Sequence, residues 1–176
     1  MRVLVDKNVV RRWFESIIRS NLGQGLTREQ ELVVSILATA KSQDVEIYIT
    51  LETYNILTRI LRNPQVAKAI IANSDTLYRS KPFKGWLRKL KEATTLTGED
   101  AKVLAYATFG TNLSGTFIGC EKVVTLDKGL ANEFELKKQS LDAKLRRLKT
   151  RLPFPYQEAR LPEVVLLETG NSVNST

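Results

Sequence analysis

The sequence predicts an α/β protein with three layers, α/β/α, around a mainly parallel central sheet. Short apolar runs rich in β-branched residues recur along the chain, as at residues 3–5 and 45–49. Runs that are apolar at every position are typical of parallel strands covered on both faces. Between these runs lie segments whose apolar residues recur at helical spacing, and strands that alternate with helices favour a parallel sheet.

Capping signals locate the helices in the first half of the chain. Thr27, followed by Gln30 three residues later, forms a capping box at the start of one helix. Thr50 caps another helix, which ends ahead of Pro64 because the residue before a proline avoids the α conformation. We expect strands at 3–5 and 45–49, and helices at about 9–19, 28–42, 52–62 and 65–72.

The second half of the chain continues the alternation. Thr97 opens a helix, and a loop with three glycines follows it at 110–119. A long basic helix ends at Pro153, since proline cannot continue a helix. The assignments between 76 and 97 rest on weaker periodicity. We expect helices at 84–91, 98–109 and 128–151, strands at 93–96, 122–126 and 163–167, and a flexible tail at 170–176.

Composition excludes several kinds of chemistry. The 176 residues include no histidine and one cysteine, Cys120. Histidine bases, Ser-His-Asp triads, histidine-ligated metals, an intramolecular disulfide and a cysteine zinc cage are therefore excluded. No apolar run is long enough for a membrane span, and no signal peptide is recognisable, so we expect a cytoplasmic protein with no membrane partner.

The charge indicates a polyanionic partner. Lys and Arg number 27 against 19 Asp and Glu, which gives a net charge of +8. Residues 136–151 alone carry seven basic residues and one acid. A strongly basic chain is typical of proteins that bind nucleic acid, although a basic surface without such a partner gives the same composition.

Acidic residues follow three of the predicted strands. Asp6, Glu52 and Asp127 stand at strand ends, and Asp100 lies in the first turn of a helix. Each acid alone is explained as a helix cap or as a complement to a helix dipole. The carboxyl ends of parallel strands meet at one edge of the sheet, however, and clustered carboxylates repel one another unless a cation such as Mg²⁺ joins them.

Four segments in order carry a resemblance to a known family. The segments VLVDKNVV, ITLETYNIL, LTGEDAKVLAYA and VVTLDKGL resemble the four acidic blocks of the PIN-domain family of metal-dependent ribonucleases, and the VapC-like toxin branch is a candidate subfamily. The resemblance implies a PIN-like domain over residues 1–169, RNA as substrate, Mg²⁺ or Mn²⁺ as cofactor, and an antitoxin-like protein or a second copy of the chain as partner.

The resemblance also assigns roles to residues. Asp6, Glu52, Asp100 and Asp127 would form the catalytic acidic quartet. The metal would lie among Asp6, Asp100 and Asp127, with Glu52 as a ligand directly or through water, and it would activate a water that attacks the phosphodiester. Asn8 and Thr125 match family positions that orient the carboxylates or the water.

Four features need separate explanation. Lys7 stands where the family usually has Thr or Ser, beside the metal site. The interval between Asp100 and Asp127 is long, and the basic helical segment near 136–151 reads as an insertion. Glu99 is an alternative to Asp100 as the third acid of the quartet.

Two basic segments compete as the nucleic-acid interface. The segment around 79–91 combines cations that track phosphates with aromatic residues that stack bases; alternatively, Phe83 and Trp86 lie in the core. The 136–151 segment has a leucine stripe and reads as a docked amphipathic helix that binds a partner or a second subunit. We expect RNA binding at the first segment, through Arg79, Lys81, Lys84, Trp86, Arg88, Lys89 and Lys91.

Three other functions fit parts of the pattern. A non-catalytic PIN-like module would bind RNA or a protein, with Lys7 in place of the metal. A phosphoacceptor receiver needs an acid pair after the first strand, where this chain has Asp-Lys-Asn. A phosphatase of the haloacid dehalogenase type needs Asp-x-Asp, and Asn8 stands at the second of those positions.

Overall fold

The central sheet has six strands in the order β4-β3-β2-β1-β5-β6, and all neighbours are parallel except β3 and β4. This computed structural model describes residues 1–168, apart from the side chains of 40–42. The expected tail at 170–176 lies outside the described residues. The strands are β1 (Arg2–Val5), β2 (Glu46–Thr50), β3 (Asp75–Arg79), β4 (Gly110–Thr111), β5 (Lys122–Thr125) and β6 (Glu163–Leu166).

Helices cover both faces of the sheet. They are α1 (Lys7–Asn21), α2 (Arg28–Ser42), α3 (Leu51–Thr58), α4 (Pro64–Ala72), α5 (Phe83–Ala93), α6 (Gly98–Phe109) and α7 (Lys128–Lys149), with a 3₁₀ turn at Tyr156–Glu158. Side chains alternate along each strand, so Leu4 packs against α5–α7 while Val3 and Val5 pack against α1–α4. The three-layer α/β/α fold with a mainly parallel sheet is confirmed.

The capping signals act as expected. The backbone N–H of Thr27 donates to Gln30 Oε1 at 2.9 Å, and the Gln30 N–H donates to Thr27 Oγ1 at 3.4 Å, which is the reciprocal pair of a capping box. Thr50 Oγ1 accepts a hydrogen bond from the Thr53 N–H at 3.2 Å at the start of α3. These caps fix where α2 and α3 begin.

The structure corrects the assignments between 75 and 97. The strand expected at 93–96 is wrong, because Ala93 ends α5 and residues 94–97 form a linker without a neighbouring strand among the described residues. Its Thr95 N–H bonds to the Glu133 side chain at 2.8 Å instead of to a sheet. The strand β3 lies earlier, where only Leu77 is fully buried and the apolar pattern is weak. A short antiparallel strand, β4, begins the glycine-containing loop.

Trp86 is a core residue, which corrects its expected role in RNA binding. Its side chain is completely buried together with that of Phe83, and both pack with the apolar residues of α6. The Phe83 ring lies 4.6 Å from the Tyr106 ring, and Trp86 meets Phe109 edge-on at 6.3 Å. A side chain without exposed surface has no face on which a base can stack.

Helix α7 runs from the carboxyl ends of the parallel strands to their amino ends. It begins just after β5, and its last turns lie beside residues 159–163, which lead into the amino end of β6. The basic residues from 137 onward are continuous with this helix. Leu141 and Leu145 anchor it in the core. No helix in the described part of the chain is long and apolar enough to cross a membrane.

The burial of Trp86 gives a stability prediction. Trp86→Ala should lower the free energy of unfolding by about 3–5 kcal/mol, because it opens a cavity in a filled core. Phe154→Ala is the matched control: that ring is 79 % exposed, so the change should stay within about 0.5 kcal/mol. Urea denaturation of both variants measures the difference, and equal effects would contradict the core assignment.

Candidate active site at the carboxyl edge of the sheet

A pocket of about 220 Å³ lies where β1, β2 and β5 end. Four predicted acids line it, each in or just before the first turn of a different helix, so that helix amino termini point at the pocket from several sides. Helix amino termini favour negative charge. The predicted acids and Asn8 therefore converge: the lining includes Asp6, Asn8, Glu52, Asp100 and Asp127.

Asp6 is the most buried of these acids, at 5 % exposure. Its Oδ1 accepts a hydrogen bond from the Lys7 N–H at 2.6 Å, and its Oδ2 accepts one from the Thr125 hydroxyl at 3.0 Å. Burial raises the pKa of Asp6, these two hydrogen bonds oppose the rise, and the charges of Asp100 and Asp127 add to it. Three acids therefore repel one another across the pocket.

Thr125 connects two of the acids. Its hydroxyl donates to Asp6 and accepts from the Asp127 N–H at 3.0 Å, while its side chain is fully buried. Asp127 in turn caps α7, with Oδ1 accepting from the Leu130 N–H at 3.0 Å. Asp127 therefore caps α7 and lines the pocket at the same time.

Asp100 is positioned by a cap on α6. The Thr97 hydroxyl accepts from the Asp100 N–H at 3.2 Å and donates to Asp100 Oδ2 at 2.6 Å. Glu99, the alternative third acid, turns to cations instead: its carboxylate lies 2.8 Å from Lys102 Nζ and 3.9 Å from Lys7 Nζ. Of these two neighbouring acids, Asp100 is the one whose charge raises the pKa of Asp6.

Lys7 pairs across the pocket with Glu99 and not with the first acid. The distance of 3.9 Å and the half-exposed side chains describe a loose contact. Exposed pairs of this kind contribute little to stability. The ammonium therefore lines the rim without neutralising Asp6.

Glu52 forms an ion pair with Arg79, a contact that sequence reasoning missed. Arg79 Nη2 contacts Glu52 Oε1, and Arg79 Nε donates to the Tyr106 hydroxyl at 3.1 Å. Burial works against ionisation of Glu52, but the hydrogen bonds from Arg79 and Tyr106 outweigh it and lower its pKa. The other oxygen, Oε2, is buried without a hydrogen-bond partner in the described structure. In the sequence, the one sign of this contact is a single tyrosine, Tyr106, within the apolar stretch VLAYA.

The donor chemistry of the pocket fits a hard divalent cation held partly through water. Asp6, Asp100 and Asp127 offer carboxylate oxygens, the ligands that Mg²⁺ prefers. Within residues 1–168, however, no three acidic or thiol side chains are close enough to surround one ion directly. Magnesium commonly takes only one or two carboxylates and fills its other positions with water and phosphate oxygens. The residues fit that second arrangement.

The cations of the 79–91 segment differ in how free they are. Arg79 is held by Glu52 and also lies over the Phe83 ring at 5.5 Å. Arg88 pairs with Glu92 at 3.6 Å on the outer side of α5. The Lys91 ammonium lies beside Gly98 at the start of α6, near the pocket. The structure thus leaves Lys81, Lys84, Lys89 and Lys91 outside its ion pairs.

A solved structure has the same fold. A chain of VapBC2 from Rickettsia felis, bound to a DNA fragment from its promoter, matches 96% of this chain and 100% of its own length with a TM-score of 0.52 and 8% identity. The chain has a PIN-like fold. A chain of VapBC-1 from nontypeable Haemophilus influenzae matches 79% of this chain and 94% of its own, with a TM-score of 0.45 and 14% identity. No family model and no curated protein matches the sequence.

The PIN-like fold confirms the expectation raised by the four acidic blocks. At 8% identity, the similarity to the VapBC2 chain shows the fold alone. The roles of the individual acids in this chain depend instead on their own geometry: three carboxylates in mutual repulsion, one in an ion pair, and two hydroxyls that orient them.

Repulsion in the pocket gives a stability prediction. Asp6→Asn should raise the melting temperature in the absence of divalent ions by about 2–4 °C, or about 1 kcal/mol for a chain of this size. The amide keeps the oxygen that accepts from Lys7, its NH₂ group donates toward Thr125, and a buried charge is removed. Calorimetry measures the change.

Asp142→Asn is the matched control for Asp6→Asn. Asp142 pairs with Arg146 on the surface of α7, so removal of its charge should leave the melting temperature unchanged or slightly lower. A decrease for Asp6→Asn that equals or exceeds the control would contradict repulsion among the three acids.

The ion pair of Arg79 gives a pH prediction. Because the fold lowers the pKa of Glu52, its stabilisation is complete above the ordinary value of 4.5 and is lost as the pH falls below that value. Wild type should therefore exceed Arg79→Gln in free energy of unfolding near neutral pH, and the difference should shrink below about pH 4.5. Urea titrations between about pH 3 and 7 test this.

Arg88→Gln serves as the control for the pH experiment. Its pair with Glu92 is exposed and lies on one helix, so it should change stability by no more than about 0.5 kcal/mol at any pH. If Arg79→Gln changed the free energy of unfolding no more than Arg88→Gln at every pH, the pair of Arg79 with Glu52 would not contribute to stability.

Proposed function

We propose that this chain is a divalent-metal-dependent endoribonuclease that hydrolyses phosphodiester bonds of RNA, with Mg²⁺ or Mn²⁺ as cofactor. The observation that carries the proposal is the convergence of Asp6, Asp100 and Asp127 in one pocket at the carboxyl edge of the sheet. A pocket with uncompensated negative charge has no evident use for a structural protein, whereas it suits a cation that binds phosphate.

In this proposal, the side chains of the pocket have different roles. Asp6, Asp100 and Asp127 would hold the metal directly or through water, and Thr125 fixes the Asp6 carboxylate. Asn8 lies at the pocket and would orient a water or carboxylate. When bound, the metal would supply Lewis acidity and an activated water. Lys91, whose ammonium lies beside Gly98 at the start of α6, would contact the RNA backbone near the pocket, and we propose the same contact for Lys81, Lys84 and Lys89.

Glu52 has a different role in this proposal. Its pairing with Arg79 makes it a poor direct ligand, so it would act through water from its buried Oε2. Tyr106 and Arg79 hold the carboxylate in place. Glu52 would thus orient the water network without taking part in the inner coordination.

A protein partner is part of the proposal. The matched chain belongs to VapBC2, a toxin–antitoxin assembly, which supports an antitoxin-like partner for this chain. A toxin-type ribonuclease needs such a partner to keep its activity in check.

The first test is cleavage of single-stranded RNA. Wild type should cleave in Mn²⁺ and not in EDTA, whereas Asp6→Asn and Asp127→Asn should lose at least about 100-fold in kcat/KM, a loss of roughly 3 kcal/mol of transition-state stabilisation. Both variants should also lose the rise in melting temperature that Mn²⁺ gives the wild type, because ligand binding stabilises only a protein that binds it.

A pair of neighbouring residues provides the control. Asp100→Asn should abolish cleavage, whereas Glu99→Gln should keep it within about threefold, since Glu99 faces the rim cations. Full activity of Asp6→Asn and Asp127→Asn would disprove the assignment of the site.

One observation favours the second candidate, a non-catalytic PIN-like module that binds RNA or a protein. Arg79 neutralises Glu52, and Lys7 and Lys102 add positive charge to the pocket rim. A Mn²⁺ titration followed by calorimetry separates the two functions. Absence of binding both to the wild type and to Lys7→Thr would favour the non-catalytic module.

A further inference from the structure

The carboxyl half of α7 concentrates most of the net charge of the chain. Residues 136–151 carry a net charge of +6, against +8 for the whole chain. This half lies beside residues 159–163, which precede β6, and so at the edge of the sheet opposite the acidic pocket. About 17 residues of helix separate Asp127 from Lys144, a distance of roughly 25 Å at 1.5 Å per residue. The proposed active site therefore does not account for these cations.

Six of the seven cations of residues 136–151 fall into two groups, and the seventh, Lys149, lies beside residues 159–163. On one side Lys138 pairs with Glu135 at 3.2 Å and Arg146 pairs with Asp142 at 2.6 Å. On the other side lie four cations spaced by seven, three and four residues, three of them along one flank of α7 and Arg151 in the turn that follows the helix. None of these four forms an ion pair within residues 1–168. We call them the basic flank: Lys137, Lys144, Arg147 and Arg151.

An exposed aromatic ring follows the basic flank in the sequence. Phe154 stands three residues beyond Arg151 and is 79 % exposed. The chain turns there, with the Tyr156 N–H bonded to the Pro153 carbonyl at 3.0 Å, and Tyr156 packs inward against Phe109 and Phe117. Phe154 therefore stays in solvent while its neighbour is used for packing.

A row of unpaired cations, followed in the sequence by an exposed ring, is suited to single-stranded nucleic acid. Cations track the backbone phosphates, and an aromatic face stacks an unpaired base. From Lys137 to the end of α7 the basic flank extends over about 18 Å of helix, enough to follow several successive phosphates. In contrast, the 79–91 segment keeps its cations but has Phe83 and Trp86 buried.

We propose that the basic flank and Phe154 form a binding site for single-stranded RNA, remote from the acidic pocket. The site would hold a stretch of the substrate away from the position of cleavage. As a substrate anchor it rests on the proposed ribonuclease function, but RNA binding itself requires neither the metal nor the acids. The two proposals can therefore fail separately.

The test measures binding without cleavage. A fluorescent oligouridine of about 20 nucleotides, longer than the roughly 4–16 nucleotides of one such site, is titrated in EDTA at salt concentrations from about 50 to 200 mM. Changing all four residues of the basic flank to Gln should flatten the slope of log affinity against log salt by about three units, at roughly 0.7 per phosphate contact. Asp6→Asn should bind as wild type does while it loses cleavage.

A variant of equal charge change is the control for the basic flank. Four exposed cations of the opposite layer, Arg28, Arg59, Arg62 and Lys68, are changed to Gln together. This variant has the same net charge as the first, and its slope should change by less than about one unit. Equal slopes for the two variants would mean that only net charge matters, and would overturn the site.

Phe154 tests the single-stranded character of the site. Phe154→Ala should weaken binding about 5- to 150-fold, the range that one stacked base supplies, with the salt slope unchanged. Leu136→Ala, which removes another exposed apolar side chain from α7, should have no effect. If Phe154→Ala bound like wild type and duplex RNA bound as tightly as oligouridine, the surface would be a general polyanion site and the proposal would be wrong. Melting temperatures of all variants confirm that they are folded.

Discussion

The hydrogen bond from the Thr125 hydroxyl to Asp6 Oδ2 is the contact on which the rest of the site depends. It joins the ends of β1 and β5, which are 119 residues apart in sequence, and it is completely buried. The same hydroxyl accepts from the Asp127 N–H, so it sets the start of α7 relative to the first acid. One side chain therefore fixes the Asp6 carboxylate and the backbone of Asp127, and the parallel register of the two strands makes this possible.

The pocket brings negatively charged side chains close together, which is electrostatically unfavourable. Asp6 is buried, and the charges of Asp100 and Asp127 oppose its ionisation. Helix amino termini and the hydroxyls of Thr97 and Thr125 offset part of this cost. Local conflict of this kind, within an otherwise consistent fold, is typical of functional sites.

Local sequence signals predicted the helices and the acids, and missed contacts between distant segments. The capping box at Thr27 and the acids at strand ends are readable because the residues that interact are close in sequence or follow a strand rule. The Arg79–Glu52 pair joins residues 27 positions apart on different elements, so no local pattern announces it. The linker at 94–97 has strand-like threonines, but it has no strand beside it, and β-propensity alone does not create a partner.

The helix dipole explains some of the charged residues of α7 but not all of them. An acid at its start and cations in its last turn both complement the helix dipole, and this accounts for Asp127, Arg146, Arg147 and Lys149. The dipole acts within roughly one turn of each end, so it does not account for Lys137. Ion pairing within residues 1–168 does not account for it either. Neither the helix dipole nor an ion pair within residues 1–168 accounts for Lys137, so its charge is left for the nucleic acid that we propose as the ligand of the basic flank, whereas Arg147 also complements the dipole.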